Sequence, residues 1–572
     1  MIDYKVQIAH IIAKQEIGLT ADEITEMIEV PTDSQNGDFA FPCFRLAKAM
    51  RKAPQMIAGD IATAIESESI FEKVEQVNAY VNMFICKDAF VQNVVSEVAS
   101  LGDEYGKSDV GEGKKVIVEF SSPNIAKPFH IGHIRSTVIG NSIYKLYDAT
   151  GYDVVRINHL GDYGTQFGKM IVAYRLWGSE EELEKNPIKS LLKYYTKFHE
   201  EAEKDPSLDD KARETFAKLE NGEPEEVELW KRFRELSLEE FSRVYKMLDI
   251  EFDSYAGESF YSDKMPAVLQ ELKDKNLMHE SRGAQIVDLE DYDMPPAVIT
   301  KSDGSSLYAT RDIAAAIYRK QHYDFYKNIY VVATQQNLHF KQWKQVLALM
   351  GYAWEEDCIH VPFGLVSLEE GTMSTRKGRV VFLEDVLNKA VEKTREIISE
   401  KNTSGIDIEE ISKEVGIGAV IFQELSNNRI KDYVFSWDKV LNFDGETGPY
   451  VQYTHARAAS VLRNASQEEL DKIKKCDIAD FSYVTSDSAY ELTKLIYRVP
   501  EVIREATAKF EPSILTRHLI DIAQGFNRFY HDEHILVDNE EEKVAKLALV
   551  YATKVTIANC LAILGIKAPD KM

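Results

Sequence analysis

Apolar and polar positions change rhythm three times along the chain. From Lys114 to about residue 390, short apolar runs alternate with stretches of helical spacing; the runs are Lys114 to Phe120 around Val116-Ile117-Val118, then Val154 to Ile157, then Ile329 to Ala333. The first run predicts a strand buried in a parallel sheet, and the alternation of all three with helices predicts a doubly wound α/β fold with ligands at the strand C-termini. About sixty residues, Gly178 to Glu240, interrupt that rhythm with Glu, Lys and helically spaced apolar positions, which predicts a helical insertion with Leu191, Leu192, Tyr195 and Phe198 as core contacts. From about Tyr450 the spacing is helical to the end, and residues 1 to about 108 mix helices with short strands before a glycine-spaced linker, Gly102 to Gly113. The expected architecture is a doubly wound parallel-sheet (Rossmann-like) domain at 109–390, an α+β N-terminal domain at 1–108, a connecting or stem segment at 391–449 and an all-helical C-terminal domain at 450–572.

Composition changes this picture little. With 572 residues, 44% apolar and 28% charged, the chain is expected to fold throughout as a multidomain protein. Its net charge of -26 repels phosphate on average, so a nucleic-acid partner needs local basic patches. Five scattered cysteines with no C-x-x-C suggest neither a disulfide framework nor a Cys-based metal site and fit a cytoplasmic location; no apolar run approaches the roughly 18 residues of a membrane span. The N-terminus does not open like a signal peptide.

The candidate chemistry lies just after the first strand, in Ser121-Ser122-Pro123-Asn124-Ile125-Ala126-Lys127-Pro128-Phe129-His130-Ile131-Gly132-His133, where helical spacing begins at Gly132. Unpaired amides in a first helical turn attract phosphate, a glycine there admits a nucleotide to the backbone, and His130 and His133 can donate hydrogen bonds to a phosphate as charge develops on it. A second candidate is a pair of acids: Glu119 inside an apolar strand, and Asp312 after an Asp-Gly turn at the start of a helix, with Tyr308 four residues earlier. Near the N-terminus, Arg45, Lys48 and Lys52 at i, i+3, i+7 would share a helix face beside the aromatic turn Phe39 to Phe44, which suits phosphate contacts with stacking.

His130-Ile131-Gly132-His133 in this setting resembles the HIGH signature of the class I aminoacyl-tRNA synthetases, and the blocks Ser121 to Pro128, Arg135 to Thr137, Asn158 to Gln166, Asp303 to Asp312 and Glu446 to Arg457 resemble those of the arginyl-tRNA synthetases. The resemblance covers essentially the whole chain. It implies ATP-dependent ligation of L-arginine to tRNA through an arginyl-adenylate, releasing AMP and pyrophosphate, with ATP and Mg²⁺. The class's second signature is matched by Gly371 to Gly378, where Thr372 and Thr375 replace both usual lysines. The implied catalytic residues are His130, Gly132, His133, Lys127, Ser374, Arg376 and Lys377, with Lys127 expected to compensate for the missing lysines.

The arginine contacts so implied are Glu119, Ser122, Asn124, His133, Tyr308, Asp312 and Gln336. The tRNA contacts are Phe41, Arg45 and Lys48 in the N-terminal domain, and Arg457, Tyr530 and Met572 in the anticodon-binding domain; no protein-bound metal is implied, and a monomer without membrane contact is expected. Three other readings compete: a class I ligase for another amino acid such as glutamate or cysteine, against which the missing C-x-x-C and the paired acids Glu119 and Asp312 speak; a catalytically idle tRNA-binding protein, favoured by the lost lysines; and a small HxGH nucleotidyltransferase, which leaves both terminal regions unexplained.

Overall fold

The computed structural model describes residues 3–31, 33–301, 308–368, 381–400, 407–443 and 445–572. They form two compact units: one of residues 1–105, 457–499 and 521–556, the other of residues 106–456, 500–520 and 557–572.

The second unit is built on a four-stranded parallel sheet in the order Cys358–Phe363, Lys327–Ala333, Lys115–Glu119, Asp153–Ile157. Val116, Ile117 and Val118 are fully buried, as strands covered on both faces require. The chain runs from Lys115–Glu119 through the helix Ile134–Ala149 to one neighbour, Asp153–Ile157, and only later builds the other neighbour, Lys327–Ala333. The winding therefore reverses beside Glu119, whose register partners are Ile157 on one side and Tyr330 on the other. At such a switch point the loops leaving two adjacent strands diverge, and the crevice between them is where ligands bind. The helix Ile134–Ala149 lies so close to this sheet that a Cβ on Gly140 would come within 2.1 Å of the Phe120 Cβ.

The insertion consists of helices Glu180–Lys185, Pro187–Ala202, Ser207–Glu220 and Pro224–Leu248, two of them opened by the proline that a first helical turn favours. Its buried stripe on Pro187–Ala202 is Ile188, Leu191, Tyr194 and Phe198, so Leu191 and Phe198 are core residues as expected. Leu192 and Tyr195 are only half-buried, because the helix face is turned by one position toward Tyr194. A three-stranded antiparallel sheet, Met278–Ser281, Ala284–Val287 and Ala297–Thr300, was not foreseen by the simple βα rhythm.

In the first unit an antiparallel sheet of Phe39–Pro42, Tyr80–Ile85 and Phe71–Val77 shares its interior with helices from the far end of the chain. Asp38 accepts hydrogen bonds from the Ile85 amide at 2.9 Å and the Tyr490 hydroxyl at 2.8 Å, and the Tyr105 hydroxyl donates to the Ile496 carbonyl at 2.8 Å. The helix Glu540–Ile563 is long and apolar enough to cross a membrane, contrary to the expectation from the sequence, but 72% of its most apolar window is buried, as in a core helix that is apolar on every side.

Candidate active site

The loop leaving the central strand is unusual in its backbone. Ser121, Ser122 and Ala126 all have positive φ, at 68°, 46° and 58°, a conformation that costs non-glycine residues energy and persists only where the surroundings impose it. Those surroundings are visible. The Ser121 amide donates to Ser136 Oγ at 3.0 Å, the Ser121 hydroxyl lies 2.9 Å from that of Thr137 and 2.8 Å from that of Tyr245, and the Ala126 amide donates to Ser237 Oγ at 2.8 Å. Gly161 exchanges backbone hydrogen bonds with this loop, donating to the Pro123 carbonyl and accepting from the Ile125 amide. A side chain on Gly161 would strike Asn124, 2.2 Å from its Oδ1.

The loop ends in a 3₁₀ turn, Ile131–His133, that opens the helix Ile134–Ala149. The Gly132 amide donates to His130 Nδ1 at 3.0 Å, so the proton of the neutral His130 ring sits on Nε2. His133 Nδ1 lies 3.1 Å from the His130 amide and 3.2 Å from its carbonyl oxygen, and the two imidazole centroids are 4.0 Å apart. Burial and the nearby Lys127 ammonium push His130 down to about 4, and burial with the His130 charge holds His133 well below its ordinary value. Both rings are neutral near pH 7 and available as hydrogen-bond donors. Lys127 Nζ rests over the Tyr195 ring, 5.7 Å from its centroid.

Across the switch point, the helix Tyr308–Tyr323 carries Asp312, whose Oδ2 accepts a hydrogen bond from His339 Nε2 at 2.5 Å. Burial pushes the Asp312 carboxyl up, but the His339 hydrogen bond and the charges of His339, His159 and Arg311 bring it below its usual range. Tyr308, 64% exposed, lies one turn earlier. Its ring and that of Tyr163 flank the Arg311 guanidinium at 5.6 and 5.3 Å, and Arg311 pairs at 2.9 Å with Glu258, a carboxyl that burial raises to about 7.

Glu119 is the last residue of its strand rather than inside it, and its carboxylate is matched within the chain by the fully buried Arg319, 2.6 Å away between the rings of Tyr261 and Tyr330. Asn124 and Gln336 are exposed, the latter in the turn Thr334–Gln336 that follows Lys327–Ala333, and Ser122 is half-buried. Ser374, Arg376 and Lys377 lie outside the described residues, as does the Asp303-Gly304 turn. The Val381 carbonyl accepts from the Ile131 amide at 3.1 Å, and the Leu383 amide donates to the Phe129 carbonyl at 2.9 Å.

Sequence reasoning missed Arg319, His339, Arg311 and Glu258. Arg319 carried a signal, a cation seven residues after Asp312 on a helix whose alanines face the core; His339 carried none.

The expected tRNA contacts lie elsewhere on the molecule. Phe41 is fully buried in its strand, which leaves no ring face for a base; the exposed ring is Phe44, 54% accessible and edge-on to Tyr80 at 5.4 Å. Arg45 and Lys48 are exposed, but Arg51 turns left-handed at φ 50° and ends the short helix Ala47–Met50, so Lys52 leaves that face and pairs with Asp60. Arg457 contacts Asn527 and lies over the half-exposed Tyr530, 5.4 Å from its centroid. Tyr530 in turn stacks on the buried Phe526 at 6.2 Å. Met572 packs beside Ile398, Ile411 and Val415.

A doubly wound sheet whose switch point holds a histidine-glycine-histidine turn at a helix N-terminus defines the catalytic domain of a class I aminoacyl-tRNA synthetase. Residues 94–437 match the family model described as tRNA synthetases class I (R), catalytic domain, residues 451–572 the DALR anticodon binding domain, and residues 3–85 the arginyl tRNA synthetase N terminal domain. The chain is 57% identical to the arginine--tRNA ligase of Halothermothrix orenii and 58% to that of Clostridioides difficile, each over the whole of both chains. The solved structure of Thermus thermophilus arginyl-tRNA synthetase shares its fold with a TM-score of 0.79 at 23% identity, covering 100% of both chains. The chain belongs to the arginyl-tRNA synthetase family.

Proposed function

We infer that the switch-point crevice is where this chain carries out its reaction, the ATP-dependent ligation of L-arginine to tRNA through an arginyl-adenylate, releasing AMP and pyrophosphate for protein synthesis. The observation that carries the assignment of roles is the pairing of two neutral histidines on one lip of the crevice with the ionised, half-accessible Asp312 on the other. Asp312, oriented by His339, accepts the arginine guanidinium, and Tyr308 offers it a ring face. Asn124, Gln336 and Ser122 take the α-amino and carboxylate groups. Glu119 contributes its charge through the pair with Arg319, which holds the floor of the crevice.

In the first step the arginine carboxylate attacks the α-phosphate. His130 Nε2–H and His133 donate to the phosphate oxygens as negative charge grows there, the Gly132 backbone lets the nucleotide approach the helix N-terminus, and Lys127 neutralises the departing pyrophosphate together with Ser374, Arg376 and Lys377. No protein nucleophile is required, because positioning and charge stabilisation suffice for phosphoryl chemistry of this kind. Mg²⁺ arrives on the ATP phosphates as part of that substrate. In the second step the 2′-hydroxyl of the terminal tRNA adenosine attacks the carbonyl carbon of the arginyl-adenylate, so that the arginyl group passes to the tRNA and AMP leaves.

Arg45, Lys48 and the exposed Phe44 form the N-terminal tRNA contact, and Arg457, Tyr530 and Met572 belong to anticodon recognition. Segments 1–108 and 450–572 serve tRNA binding, with 109–390 catalytic and 391–449 connecting them. The enzyme is a cytoplasmic monomer that needs no membrane. The test is charging of total tRNA with each of twenty labelled amino acids separately, in ATP and Mg²⁺. Arginine alone is the expected substrate, and tRNA binding without charging by any amino acid would leave only a binding protein.

A further inference from the structure

The helical insertion contributes more than bulk. One side of its long helix Pro224–Leu248, formed by Phe233, Ser237, Phe241 and Tyr245 at intervals of four, lies against the loop that precedes the signature turn. Phe129 packs on Phe241 and Tyr245 with centroids 5.3 and 5.5 Å apart, and the Tyr245 hydroxyl holds both Ser121, at 2.8 Å, and Asn158, at 2.9 Å. Ser237 is fully buried; its hydroxyl donates to the Phe233 carbonyl at 2.6 Å, so its oxygen accepts from the Ala126 amide at 2.8 Å in a single orientation. Ala126 is the left-handed residue next to Lys127. No local turn supplies that amide with a partner, so without Ser237 it is a buried donor left unpaired in an already strained residue. The other end of Lys127 is met by the insertion as well, since its ammonium lies over the Tyr195 ring. That half-buried ring is out of the insertion's own core, where Tyr194 takes the interior place.

We propose that Ser237 and Tyr195 are positioning residues for adenylation, Ser237 setting the backbone and Tyr195 the ammonium of Lys127 against the phosphates. The proposal rests on the assignment of Lys127 to the pyrophosphate made above. It makes the insertion part of the catalytic apparatus of this chain, whose second signature lacks both lysines, because a single lysine on a flexible stem gains most from being held in place.

The test is a double-mutant cycle on tRNA arginylation with ATP and arginine each varied in turn while the other substrates are saturating, using Lys127→Ala, Ser237→Ala, Ser237→Thr, Tyr195→Leu and Tyr195→Phe. Ser237→Ala and Tyr195→Leu are expected to lower kcat about tenfold with KM for arginine unchanged, while Ser237→Thr and Tyr195→Phe, which keep the hydroxyl and the ring, stay within about threefold of the parent. In the Lys127→Ala background the same two changes should cost less than about twofold, because the group they position is gone. A full additional loss in that background overturns the positioning role and makes both residues merely structural. A parent rate in Ser237→Ala and Tyr195→Leu also overturns it. A parent rate in Lys127→Ala overturns the assignment of Lys127 itself, and the inference with it. If Ser237→Ala does not fold, the half-exposed Tyr195 pair carries the same cycle.

Discussion

Asp312 and His130 show opposite uses of burial at the scale of single residues. Asp312 stays ionised because His339 donates to one carboxylate oxygen, which leaves the other for a guanidinium. Removing one partner of a desolvated charge pair costs about 2–5 kcal/mol, so Asp312→Asn is expected to raise KM for arginine by at least about thirtyfold, with KM for ATP nearly unchanged in steady-state arginylation. His130 is instead kept neutral, its folded-state value lowered to about 4. A histidine depressed on folding destabilises only in acid: as pH falls below about 6.5 the unfolded chain binds a proton that the folded chain refuses until about pH 4, so stability rises with pH across that window. The linked change is about 3 kcal/mol for His130. His130→Asn is expected to flatten the dependence of urea midpoint on pH between 4 and 6.5, and an unchanged slope would show that the ring is not buried as described.

Among the elements, the helix after the signature turn is decisive, because it brings the two histidines to the sheet and is itself buried along nearly its whole length. Its approach depends on Gly140 against Phe120. An added methyl there forces the helix off the strand, and overpacking of this kind costs about 1–3 kcal/mol, so Gly140→Ala should lower the thermal midpoint and also slow arginylation, since the histidines ride on the displaced helix. Arg135 of the same helix is fully buried; it donates to the carbonyls of Gly364 at 2.9 Å and Lys431 at 2.8 Å and pairs with the buried Glu424 at 3.3 Å. Burial raises the Glu424 carboxyl to about 8 and the Tyr433 hydroxyl bonds it as well, so Arg135→Met chiefly strands the two carbonyls and is expected to destabilise by about 2–4 kcal/mol in equilibrium unfolding.

For the whole molecule, the first unit draws its core from both ends of the chain. Deleting residues 1–105 would uncover Tyr490 and Tyr497, whose hydroxyls now bond Asp38 and the Tyr4 amide, so the truncated protein is expected to expose protease sites within 457–556 rather than simply to bind tRNA less well. Limited proteolysis with mass mapping reads this directly. The net charge of -26 makes tRNA binding depend on a few local cations. Affinity should fall with salt, and replacing Arg45 or Arg457 by alanine should reduce the slope of log affinity against log salt by roughly 1 each if each meets a phosphate.

The sequence by itself determined the strands Lys115–Glu119, Asp153–Ile157 and Lys327–Ala333, the helical insertion and the signature turn, because strands covered by neighbours, as Lys115–Glu119 and Lys327–Ala333 are, need apolar runs, the half-buried edge strand Asp153–Ile157 still keeps a short one, and a helix start needs a recognisable boundary. These are local requirements, and local spacing records them. Which side of a helix faces inward, and which distant group meets a charge, are decided by packing. Tyr194 rather than Tyr195 entered the insertion core, Phe44 rather than Phe41 reached the surface, and Glu119 found Arg319 two hundred residues away. His339 beside Asp312, Ser237 beneath Ala126 and the sharing of one core by the two chain ends were likewise left to the tertiary structure, since a hydrogen bond between residues far apart in sequence leaves no periodic trace in either segment.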